Sequence, residues 1–323
     1  MNESAIENLL KKTLVILSKY RRSIFNLSII LLIVFIVIPQ LGKLRSSFGI
    51  AQKVNLEWLL VGFMLSLLTF LLSALSFYAL AKKPISYYRT VLTQCASMFA
   101  NHLFPAGIGS IGVVYKYLRK NNHTKSEAAT VIYVNNVLGF IGYVLIISFI
   151  VIFIHAPLHI HTNSLNNEIV LISFFSILLI SFVMLYKHKK LRLSVHNFMN
   201  DIRLNTLDYK NKKFKLLISL VSIMGLTTLY ALSLSACVLA VGGHINIAEA
   251  LVVLAIGVVG KTVVPTPGGV IGAEAGIFAG LVTYGMTSIQ AVVVVVAYRL
   301  VTYWIPFAIG AVAFAYVKRK QYL

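Results

Sequence analysis

A glycine-proline break occurs twice in this chain, at one fixed offset of 160 residues and each time inside an apolar stretch. The first copy reads Phe104-Pro105-Ala106-Gly107-Ile108-Gly109-Ser110-Ile111-Gly112, and the second reads Val264-Pro265-Thr266-Pro267-Gly268-Gly269-Val270-Ile271-Gly272. Pro105 aligns with Pro265, Gly109 with Gly269, Ile111 with Ile271 and Gly112 with Gly272. Proline removes a backbone donor and glycine leaves the helical well readily, so neither helix is expected to run straight through. At membrane depth, broken backbone is tolerated only where protein buries it or a wet cavity receives it. Two matching breaks in two halves of a chain point to a transport site at a repeat interface. The plainer alternative is two flexible helices with tolerated glycines.

Composition makes the membrane setting necessary. The chain is 59% apolar and only 12% charged, and several apolar runs are long enough to cross a bilayer. Full spans are expected at about Ser23–Leu41, Trp58–Ala81, Ala128–Ile154, Glu168–Tyr186, Leu216–Val241 and Ser288–Val317. Between them lie the two broken stretches, about Val91–Leu118 and Ala250–Met286. The longest polar segment, about Lys187–Lys215, is too short for a soluble domain. Met1 to Arg22 is polar and basic, and no small-residue cleavage site closes the following apolar run, so a cleavable signal peptide is not expected. Cys95 and Cys237 both lie in apolar surroundings and read as small core residues rather than a disulfide or metal pair.

A formal net charge of +20 would suggest nucleic acid in a soluble protein. Here the basic residues sit in short clusters beside apolar spans, the topogenic pattern of cytoplasmic loops. The N-terminus carries five, Lys82–Arg89 three, Lys116–Lys125 four, Lys187–Lys215 nine and the tail Lys318–Lys320 three of the 29. His155–Asn167, Gly242–Glu249 and Gly285–Thr287 carry none. The positive-inside rule then puts both termini in the cytoplasm, with Lys43, Arg45 and Lys53 as mild exceptions. The first broken stretch begins and ends among cytoplasmic charges, so it enters and returns; the second does the same from outside. The expected organisation is a single membrane domain over residues 1–323. One repeat covers about 56–154, an inverted repeat covers about 214–317, and a connecting helix lies at about 168–186.

Charged residues at membrane depth are expensive and therefore informative. Lys261 lies four residues before Pro265, Glu274 just beyond Gly268-Gly269, and Arg299 near the middle of the next helix beside Tyr298, Tyr303, Trp304 and Pro306. One reading is a structural Glu274–Arg299 salt bridge that locks the hairpin to its helix. The other is that Lys261 or Arg299 receives a phosphate, helped by half-helix N-termini that favour anions. The first break adds Asn101 and His102; Tyr115, Lys116, Tyr117 and Arg119 after it read as interfacial anchors. Asn135 and Asn136 read as packing glue within a long apolar helix. His155, His159 and His161 lack the companions of a metal site. With only nine carboxylates, no acidic neighbour for Glu274 and no Walker-type loop, enzyme chemistry and direct use of ATP are not expected.

Pro265 to Glu274, followed by Arg299 and Tyr303-Trp304-Ile305-Pro306, resembles the signature of the flippase-like membrane domain of bacterial lysylphosphatidylglycerol synthases, which also occurs as stand-alone proteins. Asn101 to Gly109 resembles its first signature, and the similarity spans most of the chain. The resemblance implies movement of lipids such as aminoacylated phosphatidylglycerol between leaflets. Many relatives carry an arginine and an acidic residue where this chain has Gly107 and Ser110, and a Glu-Arg pair where it has Asn135-Asn136. The first break is thus electrically quieter here, and the soluble synthase domain is absent from the sequence.

Together these readings predict an all-α polytopic protein of the cell (inner) membrane, with about six full spans and two opposed re-entrant hairpins. The expected function is translocation of an anionic phospholipid or lipid-linked phosphate, without enzymatic activity or cofactor. Alternatives are a membrane enzyme or assembly subunit acting on polyprenyl-linked sugars, and a small-solute secondary carrier. Expected partners are membrane lipids, with a homo-oligomer or a partner synthase as further options and no nucleic acid. Expected substrate contacts are Lys261, Arg299, Glu274, Asn101, His102 and Tyr303. The hairpin breaks are assigned to Pro105, Gly107, Gly109, Pro265, Pro267, Gly268 and Gly269.

Overall fold

The computed structural model describes residues 54–104, 107–150, 200–263 and 270–323, with the side chains of 261–263 and 270–271 left aside. The expected spans Ser23–Leu41 and Glu168–Tyr186 lie outside the described residues, as do Pro105, Pro265, Pro267, Gly268 and Gly269.

Helix α1 (Leu56–Leu80) starts where Asn55 Oδ1 accepts the Glu57 amide at 2.8 Å, satisfying one of the orphan donors of a first turn. Helix α2 (Tyr87–Leu103) stops at Phe104, whose backbone is extended. The chain resumes through Gly107 at φ +78°, the left-handed region that glycine enters at no steric cost, and enters α3 (Ile108–Lys120). Helix α4 (Lys125–Phe149) opens on a reciprocal capping box between Thr124 and Glu127. A short helical segment over 200–207 leads through a 3₁₀ turn (Asp208–Asn211) into α5 (Lys213–Ala240). Asn246 and Glu249 cap α6 (Ile247–Val263) reciprocally at 2.9 Å in both directions. Helix α7 (Val270–Thr283) follows, and α8 (Ser288–Arg299) opens on a second capping box, Thr287 with Gln290. A π turn (Leu300–Trp304) joins α8 to α9 (Ile305–Arg319). The described residues contain no strand.

Among the described residues, four continuous helices are long and apolar enough to cross a membrane: Leu56–Leu80, Lys125–Phe149, Lys213–Ala240 and Ser288–Arg319. In α5 only 22% of the apolar window is buried within the structure. The expected broken stretches appear as helix pairs, α2–α3 and α6–α7, that start and stop within about four residues of the sequence-based bounds. Their arms are 17 and 13 residues in α2–α3 and 17 and 14 in α6–α7, at or below the short end of the range for a crossing helix.

Packing joins these elements closely. α1 lies antiparallel against α5: Ser233 Oγ donates to the Gly62 carbonyl at 2.8 Å, Ser76 meets Ser219 at 2.7 Å, and the Tyr209 hydroxyl donates to the Leu80 carbonyl. Within α2–α3, Gly109 sits against the Ala100 backbone with no room for a side chain. Within α6–α7, a Cβ on Gly276 would lie 2.6 Å from the Ile256 carbonyl oxygen. Small residues of this kind let helices approach where lipid supplies no hydrophobic drive. Each pair is also braced by a distant helix. α9 backs α2 through Gly310 against Cys95 and Phe99 against Phe307 and Phe314. α4 backs α6 through Ile146 and Ile150 against Ala248 and Val252.

Candidate functional site

The site begins with Pro306, the second residue of α9. Proline has no amide hydrogen and its ring crowds the carbonyl four residues back, here that of Thr302. The helix responds by widening into the π turn, in which the Ile305 amide reaches back five residues to the Leu300 carbonyl. The rearranged backbone is supported from two directions. Ser66 Oγ of α1 donates to the Val301 carbonyl at 2.7 Å, and Thr302 Oγ1 donates to the Tyr298 carbonyl at 2.6 Å. The widened turn thereby holds Arg299 at its start and Tyr303 within it.

Arg299 Nε lies 3.6 Å from Glu274 Oε1 of α7, and the two side chains are only 11% and 8% exposed. That separation is a charge contact longer than a hydrogen bond. Arg299 Nε and Nη2 are both buried without a hydrogen-bond partner among the described residues. The guanidinium carbon stands 5.5 Å from the centre of the Tyr303 ring, within cation–π range. The Tyr303 ring also meets His102, with ring centroids 3.8 Å apart and Phe307 beside them at 5.3 Å from His102. His102 Nδ1 donates to the Met98 carbonyl at 2.5 Å, which fixes the ring at the end of α2. Glu274, Arg299, Tyr303 and His102 therefore form one buried chain of contacts. It runs from α7 across the π turn to the last turn of α2, so the π turn bridges the two broken helix pairs.

The other two nominated residues fall differently. Asn101 is half-buried, with Oδ1 3.7 Å from where a Cβ on Gly107 would sit, so it lies at the first break and outside that contact chain. Lys261 follows Gly260, whose backbone touches Gly272 of α7; its side chain lies outside the described residues. Of the nominated break residues, Gly107 supplies the left-handed turn and Gly109 the close approach. Asn135 accepts from Ser76 Oγ at 2.6 Å, a helix-to-helix hydrogen bond.

Sequence reasoning missed the π turn and a row of hydroxyls on α1. Ser66, Thr69, Ser73 and Ser76 recur at i, i+3, i+7 and i+10, a helical face in an otherwise apolar span. That spacing was the available signal. Ser73 donates to Gln94 Oε1 of α2 at 3.1 Å, whereas Thr69 meets Tyr230 of α5 and Ser76 meets Ser219 of α5 and Asn135 of α4.

Among the described residues no group of histidine, cysteine and carboxylate could hold a metal ion. At the far end of α1, Lys82 pairs with Asp208 at 2.7 Å and with Asn205 at 2.6 Å, tying the 200–211 segment to the helix ends. The Lys82 ammonium holds the Asp208 carboxyl below its usual range.

Broken helix pairs joined through a buried Glu-Arg-Tyr-His chain, among helices long and apolar enough to cross a membrane, define a polytopic helical membrane protein with an internal charged site. The family model for the lysylphosphatidylglycerol synthase TM region matches residues 23–310, and the chain belongs to that family. The match takes in both breaks, Glu274, Arg299 and Tyr303, and ties the protein to the chemistry of membrane lipids. No curated protein matches the chain.

Proposed function

We propose that this protein translocates an anionic phospholipid or a lipid-linked phosphate between leaflets, receiving the phosphate at Arg299. The observation that carries this reading is the pair of buried guanidinium nitrogens, Nε and Nη2, with no hydrogen-bond partner among the described residues. A buried donor left unsatisfied costs about 1–3 kcal/mol, and more when charged. A phosphate offers two oxygens that the planar fork of a guanidinium can hold in a bidentate contact. Tyr303 walls the guanidinium with His102 stacked against it, and Glu274 offsets the guanidinium charge while no substrate is bound. Lys261 enters the reading as a second cation on its sequence position alone. The reading assigns no covalent step to the protein.

The translocation pathway is the meeting point of two opposed re-entrant hairpins, α2–α3 and α6–α7, with both termini in the cytoplasm. Support comes from the packing of α9 along α2 and from the touch of the α4 end, at Ile146 and Ile150, on Ala248 and Val252 of α6, contacts of the kind that inverted repeats exchange. The test is movement of a fluorescent anionic phospholipid in proteoliposomes. Arg299→Gln is expected to slow it about ten- to hundredfold, the value of a charged hydrogen bond of about 1.5–3 kcal/mol. Wild-type rates in a folded Arg299→Gln protein would remove the phosphate role. Single cysteines at Ala81 and Ser126 should label from the cytoplasm and at Gly243 and Thr287 from outside. A pair split across the membrane would make that broken stretch a full span.

A further inference from the structure

The phosphate reading uses His102 only as packing, yet its ring is buried on the last turn of α2, beside the charged pair. An imidazole is the side chain whose ordinary titration falls between about pH 5 and 8. The groups that face it come from four elements. On its own helix, Nδ1 donates to the Met98 carbonyl at 2.5 Å. The Tyr303 ring of the π turn meets it at 3.8 Å between centroids, and Phe307 of α9 lies at 5.3 Å. Behind Tyr303 stand Arg299 of α8, its guanidinium carbon 5.5 Å from the ring centre, and Glu274 of α7. The side chain of Lys261, near the end of α6, lies outside the described residues. Arginine stays protonated and a phenol stays neutral throughout that pH range. Among the groups named, a change of charge there falls to His102 or Glu274.

Charge counting separates the empty site from the loaded one. Empty, the Glu274–Arg299 pair is neutral, with both side chains largely buried. A phosphodiester brings one negative charge that this pair does not balance, and an unbalanced buried charge is costly. Protonating Glu274 would remove the charge that faces the buried guanidinium. Protonating His102 leaves the Met98 contact intact, because Nδ1–H donates to a carbonyl in the imidazolium as in the imidazole, and the added proton goes to Nε2. The face of the Tyr303 ring suits a cation beside it. Through that ring the imidazole and the guanidinium carbon are no more than about 9 Å apart. At an effective dielectric constant of about 20, an anion held at Arg299 then favours the imidazolium about tenfold.

We propose that His102 is the proton acceptor of the site: a phosphodiester bound at Arg299 is accompanied by a proton at His102 Nε2, and the two cross the membrane together. The inference rests on the reading that Arg299 receives the phosphate, and it adds how the anion's charge is balanced. The proton comes from water on the side to which the site is open, forms an N–H bond at Nε2 and returns to water as the lipid leaves. Lipid and proton together carry no net charge, so a pH gradient drives the step and a membrane potential does not.

Binding of phosphatidylglycerol to the purified full chain in zwitterionic micelles tests it, since probe and micelle keep their charge over the whole pH range. Tryptophan fluorescence reports binding, because Trp304 meets the Tyr303 ring edge-on at 5.1 Å, and a pH indicator in weak buffer counts protons. Affinity should tighten about tenfold from about pH 8 to 5.5, because a ligand that favours the protonated state is favoured by protons in turn. At the midpoint about half a proton should be taken up per lipid, the most that a tenfold linkage allows. His102→Asn, whose amide can still donate to the Met98 carbonyl, should flatten the profile to within about twofold and take up no proton. His102→Gln decides the matter if His102→Asn does not fold. In proteoliposomes a pH gradient should drive the wild type and an imposed potential should not, whereas the His102 variants should respond to the potential. Binding by the wild type that is independent of pH, or a profile that survives in the His102 variants, overturns the proton role. The Arg299 reading then still stands if Arg299→Gln loses binding. Failure of the wild type to bind, or binding unchanged by Arg299→Gln, removes both.

Discussion

Removing one member of the Glu274–Arg299 pair should cost more than removing both. At a separation of 3.6 Å and an effective dielectric constant of about 20, Coulomb's law gives an attraction of about 5 kcal/mol before desolvation is subtracted. Breaking a buried pair by deleting one partner typically costs about 3–5 kcal/mol, because the other charge is left in place. Arg299 is the sensitive member, since its Nε and Nη2 already lack hydrogen bonds among the described residues and Glu274 is the carboxylate beside them. Glu274→Ala should therefore destabilise the protein by about 3–5 kcal/mol. Arg299→Ala should destabilise it too, and the double variant should lose about 2–4 kcal/mol less than the sum. Reversible denaturation by SDS in mixed micelles supplies the four corners of the cycle, and Glu274→Gln in place of Ala removes the charge without a cavity. The folding yield of Glu274→Ala should also fall below that of the double variant. Losses that add to within about 0.5 kcal/mol would show that the contact carries no energy. The guanidinium would then need another reason to sit where it does.

Two further outcomes follow from the structure. Gly276→Ala places a methyl group 2.6 Å from the Ile256 carbonyl oxygen and 2.8 Å from Gly257 Cα, so it should lower stability by about 1–3 kcal/mol or more. Gly139→Ala, with nothing within 4 Å, should be neutral or raise it by about 0.5–1 kcal/mol; equal melting temperatures for the two would contradict the helix contact. Acid should weaken the loop between α3 and α4. There His123 is buried and accepts the Lys83 amide at Nε2 over 3.2 Å, while burial pushes its pKa below the usual value. A neutral folded imidazole and an unfolded one with a pKa near 6.5 mean that the unfolded state binds more protons below that pH. This contribution is complete above about pH 6.5 and is lost as pH falls toward the folded pKa. The melting temperature should decline between about pH 7 and 5, and His123→Gln should flatten that decline; parallel profiles would exclude His123 as the cause.

What was legible in the sequence was whatever depends on local backbone rules. Pro-Gly punctuation located the interruptions, and Gly107 turns the chain as its residue type suggested. Apolar length located α1, α4, α5 and the α8–α9 span to within a few residues. The capping boxes at Thr124–Glu127 and Thr287–Gln290 were also available as S/T-x-x-E/Q patterns, and they set where α4 and α8 begin. Glu274 and Arg299 stood out because charge in an apolar run is costly, which is a local fact as well. The π turn was not legible. Pro306 announced a disturbance, but a kink, a break and a π turn share that signal. Which one forms depends on whether a donor such as Ser66 is waiting on another helix, 235 residues away in sequence.

The same limit applies to the heart of the site. His102 and Arg299 were both nominated, yet nothing in their own neighbourhoods brings them together. They meet because α2 is braced by α9, so the end of the first broken pair lies against the π turn that follows the second. The ring of Tyr303 touches both, with its centre 3.8 Å from that of His102 and 5.5 Å from the Arg299 guanidinium carbon. A shift of either broken pair must therefore break the His102–Tyr303 stack, move the π turn or carry α9 along. Packed interfaces of this kind switch between discrete arrangements more readily than they deform continuously. A charged group held at Arg299 would be exposed to the two sides in turn by such a switch, whereas the hydroxyl row on α1 stays fixed to α5 through Ser76 and Ser219. Under the proposed translocation, movement of the first broken pair with α9 past the α1–α5 pair would have to break the Ser73–Gln94 and Ser66–Val301 hydrogen bonds that tie them together.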